Sequence, residues 1–442
     1  MSTTAEPSTT LSGLARLRAL SRANQPLGPS APAAHHLGRR LLERFALISF
    51  GLYHVPLFLN NYPSLGGGGF DTGLAVSWGR VFTPPGVWVA KHIFHVATIS
   101  PSAYNGDNGD VGEEFGRLLL AILIGAVVAV AWTVADRKRP RGRWAGDALR
   151  VLLRYSIALG LMSYAIAKIL PQQFPPIPTF ALEQRVGDLT PMALLWTFME
   201  YSRPYAFFGG LMELAAVLLL CFRRTATLGA FICVAVMTNV ALMNYAYGVP
   251  VKLYATMTAV SAAVLLIYDA PRLIAVFLTN EASPPARLSG SWQDRIPTPL
   301  RWTIKVALVG SVMLSSVAAM RGTLSPPSPS GLDGLWIVTS FTRDGQAADS
   351  SRWAQVIVRG KNVGIRLASN RFVSCQTAPS STPNAMVATC SQNRRAELQW
   401  TTSGANAQID GTFDGSRVIA SARHVDRSDY RLMQSKFRWI VE

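Results

Sequence analysis

Charged residues are scarce in this chain. Asp, Glu, Lys and Arg make up 15% of its 442 residues, whereas a soluble domain carries roughly 25%. Hydrophobic residues make up 49%, and the mean hydropathy is +0.23. These values argue against an ordinary soluble protein and indicate a chain built mainly from membrane-spanning segments.

Cysteine is also rare, and none of the four cysteines belongs to a Cys-x-x-Cys pair. A thioredoxin-like or zinc-ribbon site therefore has no support. The sequence also lacks a GxGxxG loop, a Walker lysine motif and a serine nucleophile elbow, so the common nucleotide and hydrolase signatures give no lead. Cys221 and Cys233 lie in apolar runs and are expected to be buried and unreactive. For Cys375 and Cys390, both in a later polar region, a disulfide is left open.

Long apolar runs occur at seven places. Runs of ~17–25 mostly apolar residues are long enough to cross a membrane. The candidates are residues 42–60, 117–135, 149–170, 205–222, 227–246, 252–270 and 302–320. The second, LLLAILIGAVVAVAWTVA, is the least polar, and the first is the most polar. We predict a polytopic α-helical membrane bundle of about seven spans, residues 41–320.

Basic residues mark one side of this bundle. They precede the first span, fill DRKRPRGRWAGD between the second and third, and recur between the fourth and fifth and between the sixth and seventh. Because Lys and Arg near span ends stay in the cytoplasm, seven spans with a cytoplasmic N-terminus place all four groups on one side. The sequence thus predicts a bacterial inner-membrane protein whose C-terminal region is extracytoplasmic. Its net charge of +17 reflects this topology and contact with the lipid bilayer, and calls for no nucleic acid.

Three further regions complete the domain plan. Residues 1–40 are rich in Ser, Thr, Ala and Pro without an apolar signal-peptide core, so we expect a disordered cytoplasmic tail. Residues 321–332 form a Pro/Ser linker. Residues 333–442 contain short alternating runs separated by DG, GK and SGAN turn signals, which predict a small all-β barrel or sandwich.

An early DGLW and a late YRLMQSKFRW in this β region resemble the pattern of lipocalin-like barrels. That resemblance leaves open an interior ligand cavity if the barrel closes. The alternatives are a module that binds nothing and one that docks onto the membrane domain.

Two ionisable residues within the spans give the sharpest chemical signal. Glu213 is about eight residues into the fourth span, or ~12 Å deep at 1.5 Å per residue. A carboxyl group at that depth must be protonated or paired, and Lys168 near the end of the third span is a suitable partner. Tyr164 lies one turn before Lys168 on the same face. The pair fits a structural clamp or a catalytic or ligand-binding site, and Lys168 alone also fits a snorkelling charge.

Other polar residues share this outer half of the membrane. They are His54 in the first span, Asn239 and Asn244 in the fifth, and Lys252 at the start of the sixth. Asparagines in spans often serve only to join helices. Prolines from 171 to 178 interrupt the end of the third span, so non-helical backbone there is expected to line a cavity.

Two polar stretches give weaker signals. His92 and His95 lie near Lys91 and Trp88, which favours an interfacial amphipathic segment over a metal site because a third ligand is missing. NGDNGDVGEE at 105–114 does not follow the EF-hand order. We predict no metal site.

Three stretches carry a family resemblance. They are SYAIAKILPQQFPP, GDLTPMALLWTFMEYSRPYAFFGGLMELAAVLLLCFRRTATLGA and MTNVALMNYAYGVPVKLYA. Their G-x-x-E followed by an aliphatic run, R-x-T and Leu-Gly is similar to the DoxX-like bacterial membrane proteins, whose four-helix unit is related to the HTTM domain of vitamin K-dependent carboxylase-like proteins. The similar unit spans about 148–275.

The resemblance implies a family named after a subunit of a thiosulfate:quinone oxidoreductase, with relatives linked to oxidative stress or thiol homeostasis. The matching polar positions are Tyr164, Lys168, Gln173, Glu213, Asn244, Tyr247 and Lys252. Gly248 departs from the pattern, because relatives often carry an acidic residue there. This departure weakens any role that needs a third carboxylate beside Lys252.

Two hypotheses follow. In the first, the protein is an oxidoreductase component acting on a quinone or another lipid-soluble partner in an outward-facing pocket. Lys168 and Glu213 would then exchange protons or orient the ligand, and Tyr164, Asn244 and Gln173 would donate hydrogen bonds. In the second, the bundle anchors a non-enzymatic β domain that binds a lipid, an exported protein or a redox partner. A transporter is disfavoured because the polar residues do not continue to the inner face.

Overall fold

The computed structural model describes residues 33–61, 73–96, 110–136, 144–177, 179–283, 296–322, 332–347, 350–378 and 384–434. The chain divides into two units. The first contains residues 1–174 and 203–321, and the second contains residues 175–202 and 322–442. The helices are α1 (Ala33–Asn61), α2 (Gly73–His92), α3 (Gly112–Ala135), α4 (Trp144–Ile169), α5 (Thr179–Leu182), α6 (Pro191–Tyr201), α7 (Arg203–Leu220), α8 (Ala226–Tyr247), α9 (Lys252–Phe277), α10 (Thr298–Gly322) and α11 (Arg431–Gln434).

The first unit is a bundle of long apolar helices. Six helices in the described part of the chain are long and apolar enough to cross a membrane: α3, α4, α7, α8, α9 and the Thr298–Ala318 portion of α10. They correspond to the second to seventh predicted spans, so the polytopic helical bundle is confirmed. Helix α1 covers the predicted first span but is more polar than these six, since it carries Arg39, Arg40, Glu43 and Arg44.

The predicted boundary between tail and bundle is wrong by part of a helix. Helix α1 begins at Ala33, whereas residues 33–40 were expected to belong to a disordered tail. Within this extension Arg39 Nε donates to Glu43 Oε1 over 2.9 Å, one helical turn away. Such a pair stabilises a polar helical turn that an apolar-run criterion overlooks. The rest of the predicted tail, residues 1–32, lies outside the described residues.

Helix α4 supplies much of the core of the helical unit. Leu149, Leu153, Ile157, Leu161 and Met162 are all fully buried. They pack in one cluster with side chains of α7, α8, α9 and α10. The free thiols of Cys221 and Cys233 are buried in the same cluster, as the sequence predicted.

The second unit contains a closed antiparallel barrel. Its strands are β1 (Gly334–Arg343), β2 (Gln346–Ala347), β3 (Trp353–Arg359), β4 (Asn362–Leu367), β5 (Phe372–Ala378), β6 (Ala385–Cys390), β7 (Arg394–Ser403), β8 (Asn406–Phe413) and β9 (Ser416–Val425). From β3 to β9 each strand pairs with the next, β1 pairs with β3, and β1 also pairs with β9. Strand β2 pairs antiparallel with the last two residues of β1. Eight strands therefore close a barrel, so the barrel alternative of the prediction is confirmed and the sandwich alternative is wrong.

Large aromatic side chains fill the barrel interior. Trp353 lies 5.3 Å from Phe341 and 5.4 Å from Phe413 between ring centroids, and Trp336 lies 5.6 Å from Trp400. In a barrel of eight strands the interior is just wide enough for such side chains. The closed barrel thus encloses an aromatic core, and the buried Trp336, Trp353 and Trp400 occupy interior space that the sequence left open for a ligand.

Cys375 and Cys390 are register partners on β5 and β6 and form a disulfide. The start of the late YRLMQSKFRW stretch is helical where it is described, because residues 427–429 form a 3-10 turn and α11 follows. The turn is favoured by Asp426, whose Oδ1 accepts from the Ser428 backbone N–H over 2.7 Å.

Candidate functional site

Lys168 and Glu213 form a buried ion pair between two neighbouring helices. Lys168 is near the end of α4 and Glu213 is in the middle of α7. Lys168 Nζ donates to Glu213 Oε1 over 2.7 Å and to Oε2 over 2.9 Å. Only 9% of Lys168 and 1% of Glu213 is exposed. The lysine therefore does not snorkel, and the structure places the two predicted residues in direct contact.

A glycine allows the two helices to approach closely enough for this contact. A Cβ atom added at Gly210 would lie 2.8 Å from Lys168 Cβ and 2.9 Å from the Ala165 carbonyl oxygen. Real Cβ atoms do not approach other atoms so closely, so Gly210 permits the helix packing. Gly210 and Glu213 are the glycine and glutamate of the G-x-x-E pattern. Their spacing of three places the small residue and the carboxylate on one face of α7.

Two stacked tyrosines border the ion pair. The Tyr164 ring centroid lies 5.9 Å from Lys168 Nζ, within the range of a cation–π contact. Tyr164 in turn stacks on Tyr254 of α9, with 5.3 Å between ring centroids. A Cβ atom at Gly160 of α4 would lie 2.6 Å from Tyr254 Oη. The absence of a side chain at Gly160 therefore leaves room for this hydroxyl. The sequence predicted a role for Tyr164 but not for Tyr254. The position of Tyr254, a polar hydroxyl within an apolar span, is the pattern that could have indicated it.

Gln173 lies just beyond Lys168, where α4 ends. Its backbone N–H donates to the Ala167 carbonyl over 3.0 Å. Its side-chain Oε1 is buried and has no hydrogen-bond partner among the described residues. A buried acceptor without a donor is costly, so this atom is suited to accept from a bound hydroxyl group or water.

Lys252 has a different carboxylate partner. Asp110 Oδ2 accepts from the Lys252 backbone N–H over 2.7 Å and from Lys252 Nζ over 3.3 Å, and Oδ1 accepts from the Leu253 N–H over 2.8 Å. Asp110 thus satisfies two free N–H groups at the start of α9. In the sequence, Gly248 stands where relatives often carry an acid, which weakens any role that needs a third carboxylate beside Lys252. The structure supplies one from a distant part of the chain, while Gly248 ends α8 with φ +68°.

The predicted asparagines and tyrosine of α8 lie apart from one another. Asn244 is buried, and its Nδ2 donates to the Val251 carbonyl over 3.2 Å. This contact holds the turn between α8 and α9. Tyr247 is half-buried one turn further along, and Asn239 is exposed. Asn239 therefore points away from the buried polar residues.

His54 belongs to a separate polar contact. It is buried on α1, and its Nε2 lies 2.8 Å from Ser261 Oγ on α9. Phe50 stacks on its ring and Tyr53 meets it edge-on. These contacts join α1 to α9 and do not include the ion pair.

The two weaker polar stretches, around His92 and at 105–114, do not form a metal site among the described residues. Trp88 and His92 lie on α2 with their rings stacked 4.6 Å apart, whereas His95 follows the helix with φ 54°. Among the described residues no group of three or more His, Cys, Asp or Glu side chains could hold a metal ion. Residues 105–109 of the acidic stretch lie outside the described residues.

Comparison with known proteins identifies a bacterial relative. No protein-family model matches the chain, and no solved structure matches it. Over 140 residues the chain is 32% identical to the uncharacterized protein YwoB of Bacillus subtilis (strain 168), an alignment that covers 30% of this chain and 89% of YwoB. Most of the chain lies outside this similarity. On the strength of the aligned part, the chain belongs to the same family as YwoB.

Proposed function

We propose that this protein is a DoxX-like component of the bacterial inner membrane that binds a quinone or another lipid-soluble partner at the Lys168–Glu213 pair. The observation that carries the proposal is the buried, two-point ion pair between α4 and α7. In this topology the N-terminus is cytoplasmic and the β domain extracytoplasmic, which the distribution of Lys and Arg supports. The pair then lies in the outer half of the membrane.

The energetics of the pair favour a role beyond stability. Removing two charges from water costs several kcal/mol for each ion, and their attraction only roughly offsets that cost. Well-packed apolar residues of similar volume would hold α4 and α7 together at least as well. Ionisable residues within membrane spans are rare, and they mark sites that bind ligands or move protons.

The surroundings of the pair suit a ligand with carbonyl or hydroxyl groups on an apolar ring. Lys168 Nζ carries three protons and can donate to a ligand oxygen. Gln173 Oε1, near the end of the same helix, is an acceptor without a partner in the described part of the chain. Tyr164 presents an aromatic ring beside the lysine. A quinone needs donors in its oxidised form and acceptors in its reduced form, and this set provides both. In an oxidoreductase role, the reduced ligand would pass its electrons to a redox partner, and Glu213 would accept one of the released protons through Lys168.

The proposal is tested by asking whether a ligand co-purifies with the protein and is lost when the Lys168–Glu213 pair is broken. Full-length protein is purified in mild detergent, and bound small molecules are identified by native mass spectrometry and solvent extraction. We expect a quinone or lipid in the wild type and its loss in Glu213→Gln. Glu397→Gln is the matched control, because Glu397 is an exposed residue of β7. An equal ligand content in wild type and Glu213→Gln, or no ligand in either, would refute the proposal.

A second candidate function is a membrane-anchored binding or assembly protein. The observation that favours it is the charge of the β domain, where residues 333–442 contain 14 Lys and Arg against 9 Asp and Glu. Such a surface attracts anionic lipid or an acidic exported protein. Charge reversal on the β domain separates the two candidates, using Arg371→Glu with Arg395→Glu at two exposed positions. It abolishes function for the anchored binding protein and leaves ligand binding at the ion pair for the quinone component.

A further inference from the structure

The connection between α4 and α7 belongs structurally to the β domain. Residues 175–202 leave the helical unit after α4 and return to it at α7, yet their contacts place them in the second unit. The connection contains α5, a 3-10 turn at Val186–Asp188, and α6. Helix α6 begins with Thr190, whose hydroxyl accepts from the Ala193 N–H over 3.2 Å, and Pro191 follows at the first helical position. These start signals give the connection a defined shape.

Glu183 of this connection is bound at both carboxylate oxygens by the β domain. Oε1 accepts a hydrogen bond from the Tyr430 hydroxyl, and Oε2 accepts from Gln355 Nε2 over 3.3 Å. Gln355 lies on β3 and is buried, while Tyr430 follows β9. Two donors from distant parts of the sequence thus converge on one carboxylate.

A second carboxylate of the connection faces positive charge on the β domain. Glu200 is half-buried at the end of α6. Burial raises the pKa of its carboxyl to about 7, while the charges of Arg359 and Arg427 act in the opposite direction. Arg359 ends β3 and Arg427 follows β9. Burial outweighs these two charges at Glu200, so the hydrogen bonds of Glu183 are the contacts that attach the connection to the β domain.

We infer that the β domain is a positioning element for the ion-paired site, which it controls by binding the α4–α7 connection through Glu183. The inference rests on the proposed function, in which Lys168 on α4 and Glu213 on α7 form that site. Helix α4 ends at Ile169 and α7 begins at Arg203, so the connection joins the two helices that carry the pair. Holding it in one shape restricts how these helices move relative to each other. Glu183, Tyr430 and Gln355 are then positioning residues.

The first test asks whether the β domain holds the connection without its covalent linker. A protease site is inserted in residues 323–331 of the full-length protein, the chain is cut in detergent, and the retention of the β fragment on the membrane fragment is measured. We expect retention in the wild type and in the control Asp410→Asn, whose surface carboxylate pairs with Arg417. Tyr430→Phe with Glu183→Gln should increase release by about tenfold, because two hydrogen bonds to a carboxylate are weakened. Equal release from wild type and double variant would overturn the inference.

The second test measures positioning at the site itself. The infrared carboxylate band of Glu213 is isolated as the difference between each protein and its Glu213→Gln version. We expect this band to shift in the double variant and in Tyr430→Phe alone, and to stay unchanged in Asp410→Asn. An unchanged band in a protein that releases its β fragment would overturn the positioning role. Neither test requires a bound quinone, so a shifted band in a protein that never contains a ligand would refute the proposed function and support this inference.

Discussion

At the scale of single residues, the ion pair depends on a glycine as much as on its two charged groups. Gly210 leaves room for the Lys168 Cβ and the Ala165 carbonyl, which brings α4 and α7 close together. A lysine and a glutamate on two helices held further apart would not form the 2.7 and 2.9 Å contacts. The small residue and the acid of the G-x-x-E pattern therefore act together.

Gly210→Ala should separate the helices and weaken the pair. The added methyl group overlaps backbone and side-chain atoms of α4, and such overpacking costs roughly 1–3 kcal/mol. Gly310→Ala is the control, because nothing lies within 4 Å of a Cβ at that helical position, and it should be neutral or stabilising by up to ~1 kcal/mol. Thermal unfolding in detergent measures both. Equal effects from the two substitutions would contradict this role for Gly210.

The residues of the pair were predictable from the sequence, but some of their surroundings were not. A lone glutamate deep in an apolar run demands a partner, and Lys168 was a suitable basic residue in the same half of the membrane. Asp110 was missed as the partner of Lys252, and Glu183 as the partner of Tyr430, because loops bring these residues together and loops carry no periodic pattern. Asn239 has a suitable residue type but an exposed side chain, since hydropathy alone does not define which face of a helix is buried.

At the scale of the elements, the start of α9 depends on one distant carboxylate. Asp110 accepts hydrogen bonds from the Lys252 and Leu253 backbone N–H groups. These N–H groups have no acceptor within the helix, and the positive end of the helix dipole favours a negative charge there.

Asp110→Ala should therefore destabilise the first turn of α9. The expected cost is about 0.5–2 kcal/mol for a lost cap, and Asp110→Asn should cost less because its amide oxygen still accepts one hydrogen bond. Hydrogen exchange at Lys252 and Leu253 should become faster in the alanine variant. Unchanged exchange at these two amides would show that Asp110 does not cap the helix.

Glu200 makes the stability of the β domain depend on pH. Its carboxyl has a pKa of about 7 in the folded protein, above the ordinary value of 4.5, chiefly because of burial. The folded state therefore holds its proton more tightly than the unfolded state. The protonated Glu200 carboxyl therefore contributes its full stabilisation of the folded state below about pH 4.5. This contribution is lost as the pH rises towards 7.

The Glu200→Gln variant should remove this contribution. Chemical unfolding of the β domain in the full-length protein is followed by fluorescence between pH 4.5 and 8. The stability difference between Glu200→Gln and wild type should grow in favour of the variant as the pH rises from 4.5 to 7. Glu397→Gln, which changes an exposed carboxylate, should leave the pH profile unchanged. If the stability difference between Glu200→Gln and wild type did not change with pH, the raised pKa of Glu200 would be refuted.

At the scale of the whole molecule, the architecture was largely predictable and the division into units was not. Long apolar runs predicted the spanning helices, and two-residue alternation between turn signals predicted the β domain, because each pattern follows directly from the element's geometry. Closure of the barrel depends on the pairing of β1 with β9, which is remote in sequence. The membership of residues 175–202 in the second unit likewise follows from contacts across the chain.

Lys168 and Glu213 are proposed both to bind a ligand and to join α4 to α7. Removing one partner of a buried pair leaves an uncompensated charge and costs roughly 3–5 kcal/mol, so single substitutions lower stability under either role. The double variant Lys168→Glu with Glu213→Lys keeps both charges and separates the two roles.

The most direct measurement is the bound-ligand content of this charge-swapped protein, set beside its thermal unfolding. The ion-pair contact should recover most of the stability lost in the single variants. The ligand should be absent, because the donor and the acceptor have exchanged helices and Tyr164 no longer lies beside an ammonium group. A stable swapped protein that retains the wild-type ligand content would contradict the account and leave the pair as a structural clamp.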